Sequence, residues 1–417
     1  MRKVMQVLAL VAGLGAAVLG LIGGLIYALL PWLGETAGLG TVTGFAVAGA
    51  FVALGCGLGL PLAWTALQSL PGKPSRPLRW PRAGLLVLLF AVVVIVGQIV
   101  LSFAPLPWLF FPYFYVLGAV LPVIVVLSIV GRRLARDGLA TNWREVLAQL
   151  GSGAFLGTPA ALLLEMVVFL LLAVVAVLVI ALTPGAEEIL QTFLTEPLTG
   201  ELPDLSQLSP LLNSPWLVGL VVFALAVVAP ALEEAVKTLG VLLMGYYHRP
   251  GRAQAFLWGV AGGAGFALVE GLLSGSLVLG EEQSWAFAIT ARGGTAVVHC
   301  LAGGLMGLGW QALLSKDRRW RLLLYYVTAV ALHGMWNGLV AGVTYFGLLS
   351  TGGVAGNGAA RWGGLGTTLT VALLLILLLG QFLLLLTISG RLARSEGVAV
   401  VEVGEDDEEP EELEAVL

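Results

Sequence analysis

Two adjacent carboxylates and one lysine lie inside an apolar stretch of this chain. Residues 230–237 read Pro-Ala-Leu-Glu-Glu-Ala-Val-Lys, which places Glu233, Glu234 and Lys237 within the stretch 215–247. A charged side chain at the centre of a transmembrane helix costs about 2.5–3.5 kcal/mol on insertion scales. On a helix the lysine shares a face with the carboxylates one turn before it, so it can partly neutralise the pair. One carboxylate is then suited to act as a general base toward water.

The apolar stretches that follow carry further polar residues at helical spacing. Glu270 lies in the next stretch, and Arg292 and His299 lie two helical turns apart in the one after it. His333 and Asn337 lie one turn apart in the stretch that follows. The chain has three histidines, and two of them are predicted to lie in consecutive membrane spans. Ionisable groups that accumulate in hydrocarbon predict a functional site.

Two histidines and one glutamate form the ligand set of many hydrolytic zinc sites, in which the fourth position holds water. His299, His333 and Glu270 could supply that set. The charge balance is compatible with an ion, because the glutamates of these spans exceed Lys237 and Arg292 by one negative charge. A protonated glutamate would balance the charge equally well. The residues alone therefore leave a metal-dependent and a metal-free site both open.

The composition defines the class of protein that positions these residues. The chain has 417 residues, of which 59% are hydrophobic and only 11% charged, so we predict a polytopic membrane protein. The predicted fold is all-α, a transmembrane helical bundle of about ten spans. The predicted spans are 5–32, 38–68, 84–104, 108–130, 158–183, 215–247, 254–280, 286–314, 322–349 and 366–388.

The distribution of basic residues predicts the orientation in the membrane. Of the 21 Lys and Arg residues, all but Lys237, Arg292 and Arg361 fall in alternate loops or at the termini. The positive-inside rule then places both the N- and C-termini in the cytoplasm of a multi-pass protein of the cell (plasma) membrane. The net charge of −4 comes largely from the C-terminal tail, and no nucleic-acid partner is expected.

The sequence divides into four predicted parts. Residues 1–210 form a five-span accessory bundle with an outside acidic loop, and 211–350 form a four-span catalytic core. Residues 351–390 hold the final span, and 391–417 form a disordered acidic cytoplasmic tail. Within the accessory bundle, we interpret Glu165 as a carboxylate that reaches the interface or bonds a neighbouring helix. Within the core, the stretch 215–247 would form about 50 Å of helix, so we expect a kink, a break or a strong tilt at Pro230.

The core resembles the PrsW family of intramembrane proteases and, more distantly, the CAAX-processing and bacteriocin-immunity-type membrane proteases. The resemblance covers about 215–345. The CAAX-type relatives have a histidine where this chain has Glu270, so roles cannot be copied directly from them. The matching motifs are Glu-Glu-x-x-Lys at Glu233, Glu234 and Lys237, Phe-x-x-x-Glu at Phe266 and Glu270, the pair Arg292 and His299, and His-x-x-x-Asn at His333 and Asn337.

The resemblance implies an intramembrane endopeptidase that hydrolyses a peptide bond in or next to a membrane-spanning substrate, such as a membrane-bound anti-sigma factor. Glu233 is the predicted general base, and Glu234 and Lys237 hold its charge and geometry. The remaining roles are predicted as follows: Glu270, His299 and His333 bind Zn²⁺ or orient the water directly, and Asn337 with Arg292 stabilises the oxyanion.

Two alternatives accompany this hypothesis. A metal-free protease would activate water with Glu233 and a histidine together. A proton- or ion-coupled transporter would use the same intramembrane Glu, Lys and His residues as a proton relay. The sequence lacks a two-fold repeat and a matched pair of broken helices, which argues against the transporter.

Overall fold

The computed structural model describes residues 2–33, 40–136, 138–139, 141–181, 214–274, 285–315, 319–350 and 357–405. In this part of the chain, ten helical stretches are long and apolar enough to cross a membrane. The prediction of an all-α bundle of about ten spans is confirmed. The predicted outside acidic loop falls almost wholly within 182–213, which lies outside the described residues.

Several of the spans consist of two or three helical segments in succession. The α-helices are α1 Arg2–Leu29, α2 Thr41–Val52, α3 Leu60–Ser69, α4 Ala83–Phe103, α5 Pro107–Arg136, α6 Trp143–Ser152, α7 Thr158–Ala181, α8 Pro215–Phe223, α9 Ala229–Val236, α10 Leu239–His248, α11 Arg252–Ser274, α12 Trp285–Leu314, α13 Trp320–Ser350 and α14 Asn357–Glu405. A 3₁₀ turn, Leu30–Trp32, follows α1, and π-helical segments join α2 to α3 (Ala53–Gly59), α6 to α7 (Gly153–Gly157) and α8 to α9 (Ala224–Val228).

Helices α11 and α12 form the centre of the bundle. Their most apolar windows are 78% buried, against 17% for α4, so protein rather than lipid surrounds them. Helix α11 also packs on α5 and α6, while α12 packs on α5 and α13. Small residues allow the two central helices to approach closely. At Gly263, for example, a β-carbon would collide with the backbone carbonyl of His299.

The accessory helices join this centre mainly through α5. Helix α1 packs against α2 and α3, α2 packs against α5, and α5 reaches α11 and α12. Large apolar side chains on α1, α4 and α7 are exposed on the surface of the bundle, for example Leu19, Leu88 and Leu170. Such faces suit contact with lipid chains.

The span that carries the two adjacent glutamates is interrupted twice. The π-helical segment Ala224–Val228 precedes Pro230, which has no N–H to bond the carbonyl one turn earlier, as expected for a break at this proline. A second interruption follows α9, where Lys237 and Thr238 form a turn before α10 begins at Leu239. The short helix α9 is thus set apart from the rest of its span.

The last helix extends into the segment predicted to be a disordered tail. Helix α14 runs from Asn357 to Glu405, and residues 406–417 lie outside the described part of the chain. The Gly-rich segment 351–356 also lies outside it.

Candidate active site

The short helix α9 places an ion pair in the interior of the bundle. Glu234 and Lys237 are both 0% exposed and form a salt bridge with each other one helical turn apart. The Lys237 ammonium also lies 3.2 Å from Nδ1 of His299 and 5.6 Å from the centre of the Phe266 ring. Lys237 therefore joins α9 to both central helices.

His333 on α13 completes the pairing of Glu234. Its Nδ1 lies 2.8 Å from Oε1 of Glu234 and 3.7 Å from Oε2 of Glu233. A histidine that bonds a carboxylate through one ring nitrogen presents the other in a fixed direction, as metal-binding histidines commonly do. Glu234 thus contacts His333 and Lys237 contacts His299, and the role of the two residues in setting the geometry of the site stays a prediction.

His299 on α12 lies between Lys237 and Glu270. Its Nε2 is 2.5 Å from Oε2 of Glu270, which in turn lies 3.6 Å from the guanidinium of Arg292. This contact is an ion pair if His299 is protonated, and Nε2 has no directed hydrogen bond among the described residues. Glu270 and Arg292 are 35% and 27% exposed, so this side of the site is the more open one.

Three groups converge closely enough to hold a metal ion. Ligand atoms of Glu233, His299 and His333 all lie within 4.8 Å of one another, and the two imidazole ring centres are 4.8 Å apart. Oε2 of Glu233 and Nε2 of His299 are buried without hydrogen-bond partners among the described residues. Two imidazoles and one carboxylate form a donor set suited to zinc. Glu233 occupies the place in this set that the sequence analysis gave to Glu270.

Asn337 lies one turn beyond His333 and reaches the interrupted span. Its side-chain amide donates to the carbonyl of Leu225, at 3.1 Å, within the π-helical segment Ala224–Val228. The hydroxyl of Tyr326 similarly donates to the carbonyl of Ala231 at 2.8 Å. Both contacts connect α13 to the backbone that leads into the two glutamates.

Glu165 is a further carboxylate at the site, and the sequence analysis gave it no chemical role. It lies half-buried on α7, beside the carboxyl group of Glu233. Two neighbouring carboxylates repel each other, so the pair favours a shared proton or an added cation. The signal that could have found Glu165 was present, because it is an acidic residue inside an apolar stretch, as Glu233 is.

A backbone contact explains how α7 reaches this position. Gly157, at the end of the π-helical segment before α7, lies against the backbone of Lys237, where a β-carbon would fall 2.7 Å from the Lys237 Cα. The lack of a side chain at Gly157 therefore lets the start of α7 pack directly on the turn after α9.

A helical membrane bundle that encloses two histidines, several carboxylates and a lysine has the fold and the side chains of an intramembrane hydrolase. The chain belongs to the PrsW family, since the family model described as PrsW family intramembrane metalloprotease matches residues 141–356. The protein is therefore an intramembrane protease. No curated protein and no solved structure matches the chain.

The family match extends beyond the region in which the resemblance was seen. It begins at residue 141, so it includes α6, the segment Gly153–Gly157 and α7 with Glu165. Membership of a protease family favours proteolysis over the transporter alternative.

Proposed function

We propose that this protein is a zinc-dependent endopeptidase of the cell membrane that cleaves a membrane-anchored protein, such as an anti-sigma factor. The observation that carries the proposal is the convergence of Glu233, His299 and His333 inside the bundle. All three lie on spans within the region matched by the metalloprotease family. A peptide bond that enters this site must therefore belong to a chain segment within or beside the bilayer.

His299, His333 and Glu233 would hold the ion. A bound zinc ion would activate a water molecule and polarise the scissile carbonyl. Glu234 accepts a hydrogen bond from Nδ1 of His333 in the neutral tautomer that leaves Nε2 as the ligand atom. Lys237 balances the charge of Glu234. These two residues orient the ligands.

The open side of the site suits the handling of substrate and protons. Glu270 is 35% exposed and could accept a proton from water and deliver it to the leaving amine. Arg292 lies beside it and could stabilise negative charge on the substrate oxygen. One amide N–H of Asn337 bonds Leu225, so the other is the one that could reach an oxyanion.

A second candidate mechanism, without a metal, is favoured by the surroundings of His299. If Nδ1 accepts a hydrogen bond from Lys237, the neutral ring carries its proton on Nε2, which faces Glu270. In that tautomer neither ring nitrogen has a lone pair for an ion, and Glu233 would activate water with a histidine. Binding of zinc at Nε2 requires the Lys237 ammonium to leave Nδ1 and remain on Glu234.

Elemental mass spectrometry of detergent-purified protein tests the zinc proposal. We expect about one zinc per chain, lost in His299→Ala and in His333→Ala. His248→Ala is the matched control, because this histidine is exposed at the end of α10 and should leave the metal content unchanged. Folded and active protein that contains no metal would overturn the zinc proposal and support the metal-free mechanism.

A second comparison assigns the carboxylate ligand. If Glu233 is the third ligand, Glu233→Gln should lose zinc, whereas Glu270→Gln should keep zinc and lose activity. The opposite pattern would restore the assignment made from the sequence, in which Glu270 binds the ion and Glu233 is the general base. Cleavage of a membrane-anchored anti-sigma factor in liposomes, followed by mass spectrometry of the products, tests the substrate class.

A further inference from the structure

A large cavity lies apart from the catalytic residues, between the accessory helices and the family region. It has a volume of about 1110 Å³ and is bounded by α1, α3, the loop after α3, α6 with its π-helical segment, and α10. Apolar side chains such as Leu62, Phe155 and Leu243 line part of it, while Lys3 and Lys73 lie at its edge. The cavity is thus apolar in one part and basic in another.

The charged residues that line the cavity leave it positive. Lys3, Lys73 and Arg144 contribute cations, and Glu145 is the acidic residue among the lining side chains that the structure describes. The carboxylate of Glu145 is already engaged elsewhere. It accepts hydrogen bonds from three side chains, those of Asn142 at 2.6 Å, Gln254 at 3.0 Å and Trp258 at 3.2 Å.

Buried polar atoms at the cavity lack partners. Nε of Arg144 and the hydroxyl oxygen of Ser152 are both buried and have no hydrogen bond within the described part of the chain. A buried polar group that is left without a partner costs about 1–3 kcal/mol. The guanidinium of Arg144 donates through Nη2 to the carbonyl of Lys73 at 2.8 Å, which fixes the arginine at the basic edge. These unpartnered atoms are suited to a ligand that carries acceptor oxygens.

We propose that this cavity binds an anionic phospholipid of the surrounding bilayer. The headgroup phosphate would contact Lys3, Lys73 and Arg144, and an acyl chain would lie along the apolar walls. Basic pockets between membrane helices bind acidic lipid headgroups in this manner, and each basic residue near the surface contributes about 1 kcal/mol. The proposal does not depend on the metal or on the mechanism of proteolysis.

The position of the cavity gives the lipid a structural role. Its walls combine α1 and α3 of the accessory bundle with α6 and α10 of the family region. Gln149 on α6 donates to the carbonyl of Gly240 on α10, at 3.2 Å, close to the turn that carries Lys237. A lipid bound here would therefore connect the accessory helices to the elements that position the buried ion pair.

Native mass spectrometry of the full chain in detergent tests the proposal. Phosphatidylglycerol is titrated as the anionic probe, phosphatidylcholine as the neutral one and inorganic phosphate as the free anion. Wild-type protein should retain phosphatidylglycerol in preference to phosphatidylcholine. The Lys3→Gln/Lys73→Gln variant should bind phosphatidylglycerol at least about ten-fold more weakly.

The matched control removes two positive charges, as the test variant does, but takes both from the loop that carries Lys73. Arg76 and Arg79 are exposed neighbours of Lys73 that do not line the cavity, so Arg76→Gln/Arg79→Gln should keep the wild-type affinity. Both lysines of the test variant are exposed, and thermal unfolding in detergent verifies that the two variants are equally stable. Arg144→Gln should weaken binding as well, and Arg144→Lys should restore part of it.

Four results would overturn the proposal. Equal retention of the two lipids would show that charge does not select the ligand, and equal weakening in both double variants would show that the effect is not local. Displacement of phosphatidylglycerol by millimolar phosphate would identify the site as one for a free anion. Binding that appears only after removal of residues 406–417 would identify the acidic C-terminal segment of this chain as the occupant.

Discussion

The two halves of the active site differ in how exposed their carboxylates are and in which charged groups surround them. Glu234 and Lys237 are 0% exposed, and they form a salt bridge that His333 extends. In the other half, Glu233 is 13% exposed and Glu270 is 35% exposed. Glu233 there lies beside a further carboxyl, that of Glu165. Oε2 of Glu233 and Oε2 of Glu234 both lack a hydrogen-bond partner among the described residues, so the halves differ in exposure and in the lysine that Glu234 binds.

This difference separates residues that fix the geometry of the site, Glu234 and Lys237, from residues that can take part in the reaction. A buried ion pair needs further contacts to offset its desolvation, and Oε1 of Glu234 contacts both Lys237 and His333. The neighbouring carboxylates of Glu233 and Glu165 repel each other and favour an added positive charge or a proton. The second half is therefore the part of the site that would receive an ion, water or substrate.

The largest effect on activity is expected in the half of the site that contains Glu233 and Glu270. Glu233→Gln keeps the size of the side chain but removes the carboxylate that would bind the ion, so zinc should be lost and cleavage should fall by at least about 10²-fold, because the Lewis-acid chemistry of the ion is lost with it. Unfolding measured by denaturant should change little, because Gln fills the same space as Glu and adds no buried charge. A variant that loses stability but keeps its rate per folded molecule would place Glu233 among the structural residues instead.

The largest effect on stability is expected in the half of the site that contains the ion pair of Glu234 and Lys237. Lys237→Met leaves Glu234 charged and buried without its cation, which should lower the free energy of unfolding by about 3–5 kcal/mol. The measurement is denaturant unfolding in detergent. Glu234→Gln combined with Lys237→Met removes both charges and should recover part of the loss, as a double-mutant cycle would show. Additive losses would mean that the two residues do not act as a pair.

Substitution of Glu165 should lower activity less than substitution of Glu233 does, and it should change kcat and not KM. Glu165→Leu removes the partner of Glu233 and should lower kcat about ten-fold while KM stays nearly constant, because the change affects a catalytic group and not the binding of substrate. Glu165→Gln can still donate a hydrogen bond to Glu233 and should retain most of the activity. Equal losses in both variants, together with reduced thermal stability, would indicate that Glu165 only supports packing.

Sequence alone predicted the spans and most of the residues that meet in the site. Long apolar stretches determine membrane helices almost regardless of tertiary contacts, so the ten spans were recognisable. Polar residues inside such stretches are costly, and this cost identified Glu233, Lys237, His299 and His333. The interruption at Pro230 followed from the missing N–H of proline.

The contacts between helices could not be predicted in the same way. Whether Glu233 or Glu270 converges with the histidines depends on the rotation of α9 and α11 about their axes, which spacing within one helix does not determine. The turn at Lys237 and Thr238 contains no proline or glycine, so nothing local indicated it. Glu165 lies on a helix that the motifs did not include, and only the packing of α7 beside α9 gives it a partner.

The smallest expected effect concerns the support of α9 from outside the charged cluster. Tyr326 donates from α13 to the carbonyl of Ala231, two residues before Glu233. Tyr326→Phe removes one hydrogen bond and should lower the free energy of unfolding by about 0.5–1.5 kcal/mol. Its neighbour Tyr325 packs against the apolar core, so Tyr325→Phe is the matched control and should change stability less. Because the bond orients the backbone of α9, a fall in activity at unchanged zinc content in Tyr326→Phe would show that the support of α9 by α13 positions the reactive carboxylate. Unchanged activity would limit the role of Tyr326 to stability.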